Sequence, residues 1–185
     1  MTASTETQVE AHMPLRLHHN AFVVGDQERT RAFYEDILGL PLRATWIEIS
    51  ANLKGEPYCH SFYGLADGGA LAFFTFADPD VQRSVYGGGT AKNLYHHIAL
   101  AVDDETQRGI RTRCQAAGVA SRDIDHGYCR SLYVTDPDGL IVEFTVDPPE
   151  VDSITAWQAR TARQTLDAWQ AGERRPNNEW RRHLD

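Results

Sequence analysis

Between Ile124 and Glu143 the chain reads IDHGYCRSLYVTDPDGLIVE, which places His126, Tyr133, an Asp136-Pro137-Asp138-Gly139 turn and Glu143 in one short stretch. Glu143 interrupts the apolar run Leu140-Ile141-Val142-Glu143-Phe144. An inward-facing carboxylate in such a strand is costly unless it is paired or metal-bound; pointing to solvent, it would mark no site. Two histidine doublets stand earlier, His18-His19 and His96-His97. Strand side chains alternate with a period of 2, so within each doublet the two rings face opposite sides of a sheet. We take His19 and His97 as the inward-facing pair. Each stands seven residues before an Asp able to cap a helix, and each shares a face with a small residue, Ala21 or Ala99. His18 and His96 are then outer or edge residues. Two histidines and one carboxylate on one face form the ligand set that leaves adjacent coordination positions open on non-heme Fe(II).

The elements that must position these groups come twice. Residues 15–24, LRLHHNAFVV, read as a strand ending at Gly25. A helix capped by Asp26 follows, with Thr30, Phe33, Tyr34, Ile37 and Leu38 along one stripe and a stop at Gly39. Strands at 41–50, 57–65 and 70–76 complete a β-α-β-β-β unit. Residues 78–93, with Asp-Pro-Asp, a Gly87-Gly88-Gly89 run and few apolar positions, read as a linker. The pattern then restarts: NLYHHIALAVDD at 93–104 repeats LRLHHNAFVVGD at 15–26 with an offset of 78 residues. A helix from Asp104 to Gly118, with Ile110, Cys114 and Ala117 at helical spacing, and strands near 120–125, 128–135 and 140–146 complete a second copy.

Such a repeat says more about fold than any single propensity, because each half is one supersecondary unit. The expected fold is α+β: two βαβββ modules, 15–77 and 93–147, joined by a linker at 78–92 and forming a curved mixed sheet around a metal cleft that brings His19 and His97 together. A disordered lead-in at 1–14 and a C-terminal helix and tail at 148–185 flank this single domain. The helix is expected over 152–171, with Ala159, Ala162, Leu166 and Trp169 on its inner stripe and docking on its own domain or a second subunit; a lid role is the weaker alternative. Aligning the Asp67-Gly68 turn with Asp138-Gly139 sets Ala72 against Glu143. Where a fourth protein ligand could stand there is a methyl group, which favours three ligands with room for substrate and O2.

Composition removes several classes. A net charge of −8 supplies no clustered cations for a nucleic-acid backbone. Three cysteines, Cys59, Cys114 and Cys129, stand at no metal-ligand spacing, which suits a reducing, cytoplasmic setting. No apolar run is of membrane-span length, and the first residues, MTASTETQVEAH, have neither the basic start nor the apolar core of a signal peptide. A homodimer or higher homo-oligomer is expected.

The region 15–146 resembles the vicinal oxygen chelate superfamily, which includes glyoxalases, bleomycin- and fosfomycin-resistance proteins and extradiol dioxygenases. LHHNAFVVGDQERTRAFYEDILGL is similar to its first strand and helix. The stretch from His126 through Leu132-Tyr133, Asp136-Pro137 and Gly139 to Glu143 resembles the extradiol ring-cleavage signature in every spacing, a more specific likeness than the first helix. The resemblance implies a metal held by His19, His97 and Glu143, with Fe(II) expected and Mn, Ni or Zn as alternatives. It implies O2 as co-substrate, a small catechol such as L-DOPA as substrate, Tyr133 orienting one substrate oxygen, and His126 donating to substrate or oxygen. By residue type alone, Tyr133 would be a core tyrosine and His126 a turn residue.

The extradiol pattern has a further histidine near Gly69-Ala70 that is missing here, and His60, two residues from Tyr58 and Phe62, is the available substitute. Trp46, Tyr58, Phe62, Phe73 and Tyr128 supply aromatic surface for a flat ligand. The alternatives are a metal-dependent glyoxalase, isomerase or resistance-type enzyme of the same superfamily, and a non-enzymatic module that binds an aromatic ligand.

Overall fold

The computed structural model describes residues 13–89 and 95–179. In chain order the elements are β1 (His19–Val23), α1 (Gln27–Arg31, running on as a π-helical stretch Ala32–Ile37), β2 (Leu42–Ser50), β3 (Glu56–Gly64), β4 (Ala70–Phe76) and α2 (Pro79–Tyr86). They continue with β5 (His97–Ala101), α3 (Asp104–Ala116), β6 (Ser121–Asp125), β7 (Arg130–Thr135), β8 (Ile141–Val146) and α4 (Val151–Gln170). The repeat emerges as two four-stranded mixed sheets of the same topology, β1-β4-β3-β2 and β5-β8-β7-β6. In each, the first strand lies parallel to the last, and the remaining neighbours are antiparallel. The chain divides into two compact units, Met1–Thr90 and Ala91–Asp185.

The local reasons are those of the sequence, with four corrections. Asp26 caps α1 by accepting from the Arg29 N–H at 2.7 Å, and Thr30, Phe33, Tyr34 and Leu38 are buried as the stripe requires. The helix widens late: Leu38 N–H reaches back five residues to the Phe33 carbonyl at 3.0 Å. In the second unit the cap is Asp103, which accepts from Thr106 N–H at 2.7 Å, one residue earlier than the repeat suggests. Asp104 instead occupies the first turn, where a negative charge also suits the helix dipole.

The second correction concerns residues 78–93, whose expected linker contains α2. Asp78 accepts from the N–H groups of Asp80 and Val81, Pro79 opens the helix, and Gly87 ends it at φ 60°. Caps define this helix, and it buries no residue fully. Third, α4 rests on Ile154, 3% exposed, with Val151 and Trp157 half-buried, whereas the expected stripe of Ala159, Ala162, Leu166 and Trp169 is exposed. The sequence stripe chose the more apolar side of the C-terminal half, but the contact is made by the N-terminal half. Fourth, β1 begins only at His19, so the alternation expected to part His18 from His19 does not reach His18.

In the second unit Ile110 and Cys114 of α3, and Leu132, Val134, Val142 and Phe144 of the sheet, are each no more than 1% exposed. That apolar layer fixes one face of β7 and β8 and turns Tyr133 and Glu143 to the other. All three cysteines are free, and burial pushes the thiols of Cys114 and Cys129 up, which keeps them protonated. No helix among the described residues is long and apolar enough to cross a membrane. The lead-in over residues 1–12, the start of the second repeat at 93–94 and Trp180 with the rest of the tail lie outside the described residues.

Candidate metal centre

In the second unit, Glu143 lies directly across from Tyr133 on β7 and from Ala99 on β5. His97 is two residues before Ala99 and shares its face. The side chains join into a chain: Tyr133 Oη donates to Glu143 Oε1 at 2.8 Å, His97 Nε2 lies 3.0 Å from Glu143 Oε2, and His126 Nε2 lies 2.9 Å from Tyr133 Oη. Since the single phenol hydrogen goes to Glu143, His126 donates to Tyr133 through Nε2, and in the neutral ring the lone pair is then on Nδ1. Glu143 is 5% exposed and so is held in place by partners rather than by water. Burial first, and the hydrogen bond to Glu143 second, push the Tyr133 phenol well above its ordinary value.

The backbone aims these groups. Asp136 Oδ1 accepts from the N–H groups of Asp138 and Leu140, both at 2.8 Å, and Gly139 supplies φ 89°, so the chain reverses tightly into β8. His126 sits in a second turn, where Gly127 (φ 79°) donates to Asp125 Oδ1 at 2.7 Å and the His126 N–H reaches the Cys129 carbonyl at 2.9 Å. The four side chains line a cavity of about 600 Å³ together with Tyr95, Arg122 and Tyr128.

In the first unit the matching face carries His19, Ala72, Phe74, Phe62 and His60. Ala21 pairs with Ala72 as Ala99 pairs with Glu143, so the methyl group stands at the equivalent register position. His19 is exposed, its Nδ1 is 2.8 Å from that of His18, and its ring centroid lies 6.2 Å from His60 and 5.6 Å from Phe62. His60 stacks on Phe74 at 3.7 Å, and its Nε2 is buried without a hydrogen-bond partner. Burial first, then the nearby His19, lower its pKa against a weaker opposing pull from Glu48.

The donor set fits a divalent ion in part. Ligands at right angles in an octahedral shell, each at about 2.1 Å from the ion, stand about 3 Å apart, which is the separation of His97 Nε2 and Glu143 Oε2, 3.0 Å. Tyr133 fixes the carboxylate in the way outer partners orient metal ligands. Within neither unit do three or more His, Cys, Asp or Glu side chains among the described residues converge on one point.

Comparison with known proteins decides the family. A model described as the Glyoxalase/Bleomycin resistance protein/Dioxygenase superfamily matches residues 16–144. The chain belongs to this superfamily. Lactoylglutathione lyase of Haemophilus influenzae is 31% identical over 138 residues, 70% of this chain and 91% of that protein, and the Salmonella typhimurium enzyme of the same name is 31% identical over 140 residues, 70% and 90%. Among solved structures, the fosfomycin resistance protein FosX from Listeria monocytogenes is similar with TM-score 0.53 and 21% identity, over 75% of this chain and 98% of its own. A glyoxalase/dioxygenase from Nostoc punctiforme gives TM-score 0.51 and 24% identity, over 72% and 92%. The structural likenesses speak to fold, and that fold is the one the repeat leads one to expect.

Beyond what superfamily membership brings, two residues at the site escape a reading of the sequence. Arg122 lines the cavity opposite Tyr133 in the register. Its shared face with Ile124 was a signal available from strand alternation. Asn178 donates from the C-terminal tail to the His126 carbonyl at 3.0 Å, and nothing in the aperiodic tail pointed to that.

Proposed function

We propose that the protein is a divalent-metal-dependent enzyme acting on a small organic molecule, with His19, His97 and Glu143 as the metal ligands and His126 and Tyr133 as the groups that handle substrate. The observation that carries this reading is the run of polar contacts on one cavity wall, with His126 hydrogen-bonded to Tyr133, Tyr133 to Glu143, and His97 Nε2 lying 3.0 Å from the Glu143 carboxylate.

When bound, a divalent ion acts as a Lewis acid toward substrate oxygens. The rest falls to side chains. Tyr133, held protonated with its one hydrogen on Glu143, does not act as a base and has only its oxygen lone pairs to offer a substrate donor. His126 has its free lone pair at Nδ1, and takes or returns the substrate proton. His60, kept neutral by burial, is the proposed substitute for the histidine missing near Ala70.

For the reaction class, the lactoylglutathione lyases and FosX, one structure of which was solved with Mn(II), favour a lyase, isomerase or resistance-type reaction that needs no O2, with Mn, Ni or Zn. We take that as the first reading. The second is extradiol cleavage of a catechol by Fe(II) and O2, supported by the spacing of His126, Tyr133, Gly139 and Glu143 and by the methyl of Ala72 at the fourth-ligand position. One experiment separates them: metal analysis of anaerobically purified protein, followed by a substrate panel assayed with and without O2. Turnover that survives anaerobiosis supports the first, and oxygen-coupled formation of a yellow product supports the second. Full metal-independent activity in a Glu143→Gln variant would sink both.

A further inference from the structure

A second hollow of about 500 Å³ lies in the same unit, walled by Trp157, Leu166 and Trp169 of α4, by Asn177 and Asn178 of the tail, and by Tyr128. We propose that it is a binding site for the uncharged aromatic portion of an extended substrate whose reacting end occupies the cavity beside Glu143. The proposal rests on the catalytic reading for its second half only; the hollow itself is argued from its own walls.

Tyr128 lines both cavities, and its ring stacks on His126 with centroids 5.6 Å apart and planes 23° apart, so the two spaces adjoin across one aromatic side chain. The lining chemistry is selective. In a chain with 24% charged residues, no Asp, Glu, Lys, Arg or His lines the hollow. It offers two indoles, a phenol and an isobutyl group with amide and hydroxyl handles around them, the usual make-up of a site for a flat neutral molecule. Leu166 and Trp169 are 51% and 55% exposed, a cost in water that an apolar ligand would remove. The walls are also tied down: Asn177 Nδ2 reaches Thr165 Oγ1 at 3.3 Å, the Arg174 guanidinium lies 3.9 Å from the Trp169 ring centroid, and Asn178 bonds the His126 carbonyl at 3.0 Å. Filling the hollow therefore bears on the histidine proposed to move the proton. Apart from Tyr128, these walls lie beyond residues 16–144, the part of the chain that the superfamily model matches.

The test is calorimetric titration of the full chain, stripped of metal by a chelator, with 2-naphthol and with its anionic counterpart 2-naphthoate, alongside NMR of the histidine and tyrosine side chains. We expect 2-naphthol to bind at least tenfold more tightly than 2-naphthoate and to shift the Tyr128 and His126 signals. Leu166→Arg, a change at an exposed helix position that folding tolerates, is expected to weaken 2-naphthol at least tenfold, while Glu143→Gln leaves its affinity unchanged. Binding that Glu143→Gln abolishes and Leu166→Arg spares, or no binding at all, overturns the proposal. So does binding seen only after deletion of residues 180–185, which would make the chain's own end the occupant. If 2-naphthol behaves as expected and no metal-dependent turnover is found, the catalytic reading fails and the binding site stands.

Discussion

At the scale of residues, the site turns on a buried carboxylate whose two oxygens serve different partners, Oε1 with Tyr133 and Oε2 with His97. Glu143→Gln keeps the shape but loses the charge, and its metal content after purification is expected to fall to background. Tyr133→Phe removes the bond that orients the carboxylate and the bond to His126. That variant is expected to retain metal with affinity lowered about tenfold, and to lose turnover more than it loses metal. The same phenol predicts a pH effect. Its pKa is raised in the fold above the ordinary 10.0, so the stability tied to its proton is fully present below pH 10.0 and is lost as the pH rises above it. Chemical denaturation across this range is expected to show the wild-type chain weakening more steeply above pH 10.0 than Tyr133→Phe; parallel curves would contradict the coupling to Glu143. The glutamate was legible because an acid in an apolar strand is conspicuous, and His97 because its doublet recurs. Arg122 and Asn178 were not, since an exposed arginine and a tail asparagine look ordinary in any chain.

At the scale of elements, the Asp136–Gly139 turn does for β8 what the caps do for the helices. Asp136, 5% exposed, holds two backbone N–H groups. Asp136→Ala leaves both without that acceptor and is expected to cost about 1–3 kcal/mol in urea unfolding, with weaker metal retention because Glu143 follows the turn. The strand boundaries followed from alternation to within a few residues, the greatest error being β1, which starts four residues after the expected Leu15. Amphipathic α1 and α3 were equally readable. The helices that misled are those whose signal lies elsewhere: α2 in its caps, and α4 in a docking face that only its N-terminal half uses. Periodicity names the apolar side of a helix; which turns of that side meet a partner is set by the rest of the fold.

At the scale of the molecule, the proposed ligand set predicts that loss of any one member is felt as much as loss of another. His19→Ala is expected to lower metal content as severely as His97→Ala; metal analysis of the two variants checks it, and undiminished metal in His19→Ala would remove His19 from the proposed set. Ion binding to the folded state alone should also raise the melting temperature, since saturation at 100 times Kd adds about 2.7 kcal/mol, and a chelator should reverse the gain. The sequence alone determined the duplicated β-α-β-β-β order, the place of Glu143 and the methyl at Ala72, because each is written in local periodicity or in a repeat; the superfamily came through the resemblance of its motifs. Tertiary structure alone decided that His126 is hydrogen-bonded to Tyr133 and Tyr133 to Glu143, that His97 lies 3.0 Å from that carboxylate, and that the tail reaches back to His126. Those contacts depend on side-chain directions that packing fixes and spacing does not encode, and two of them join residues far apart in the chain.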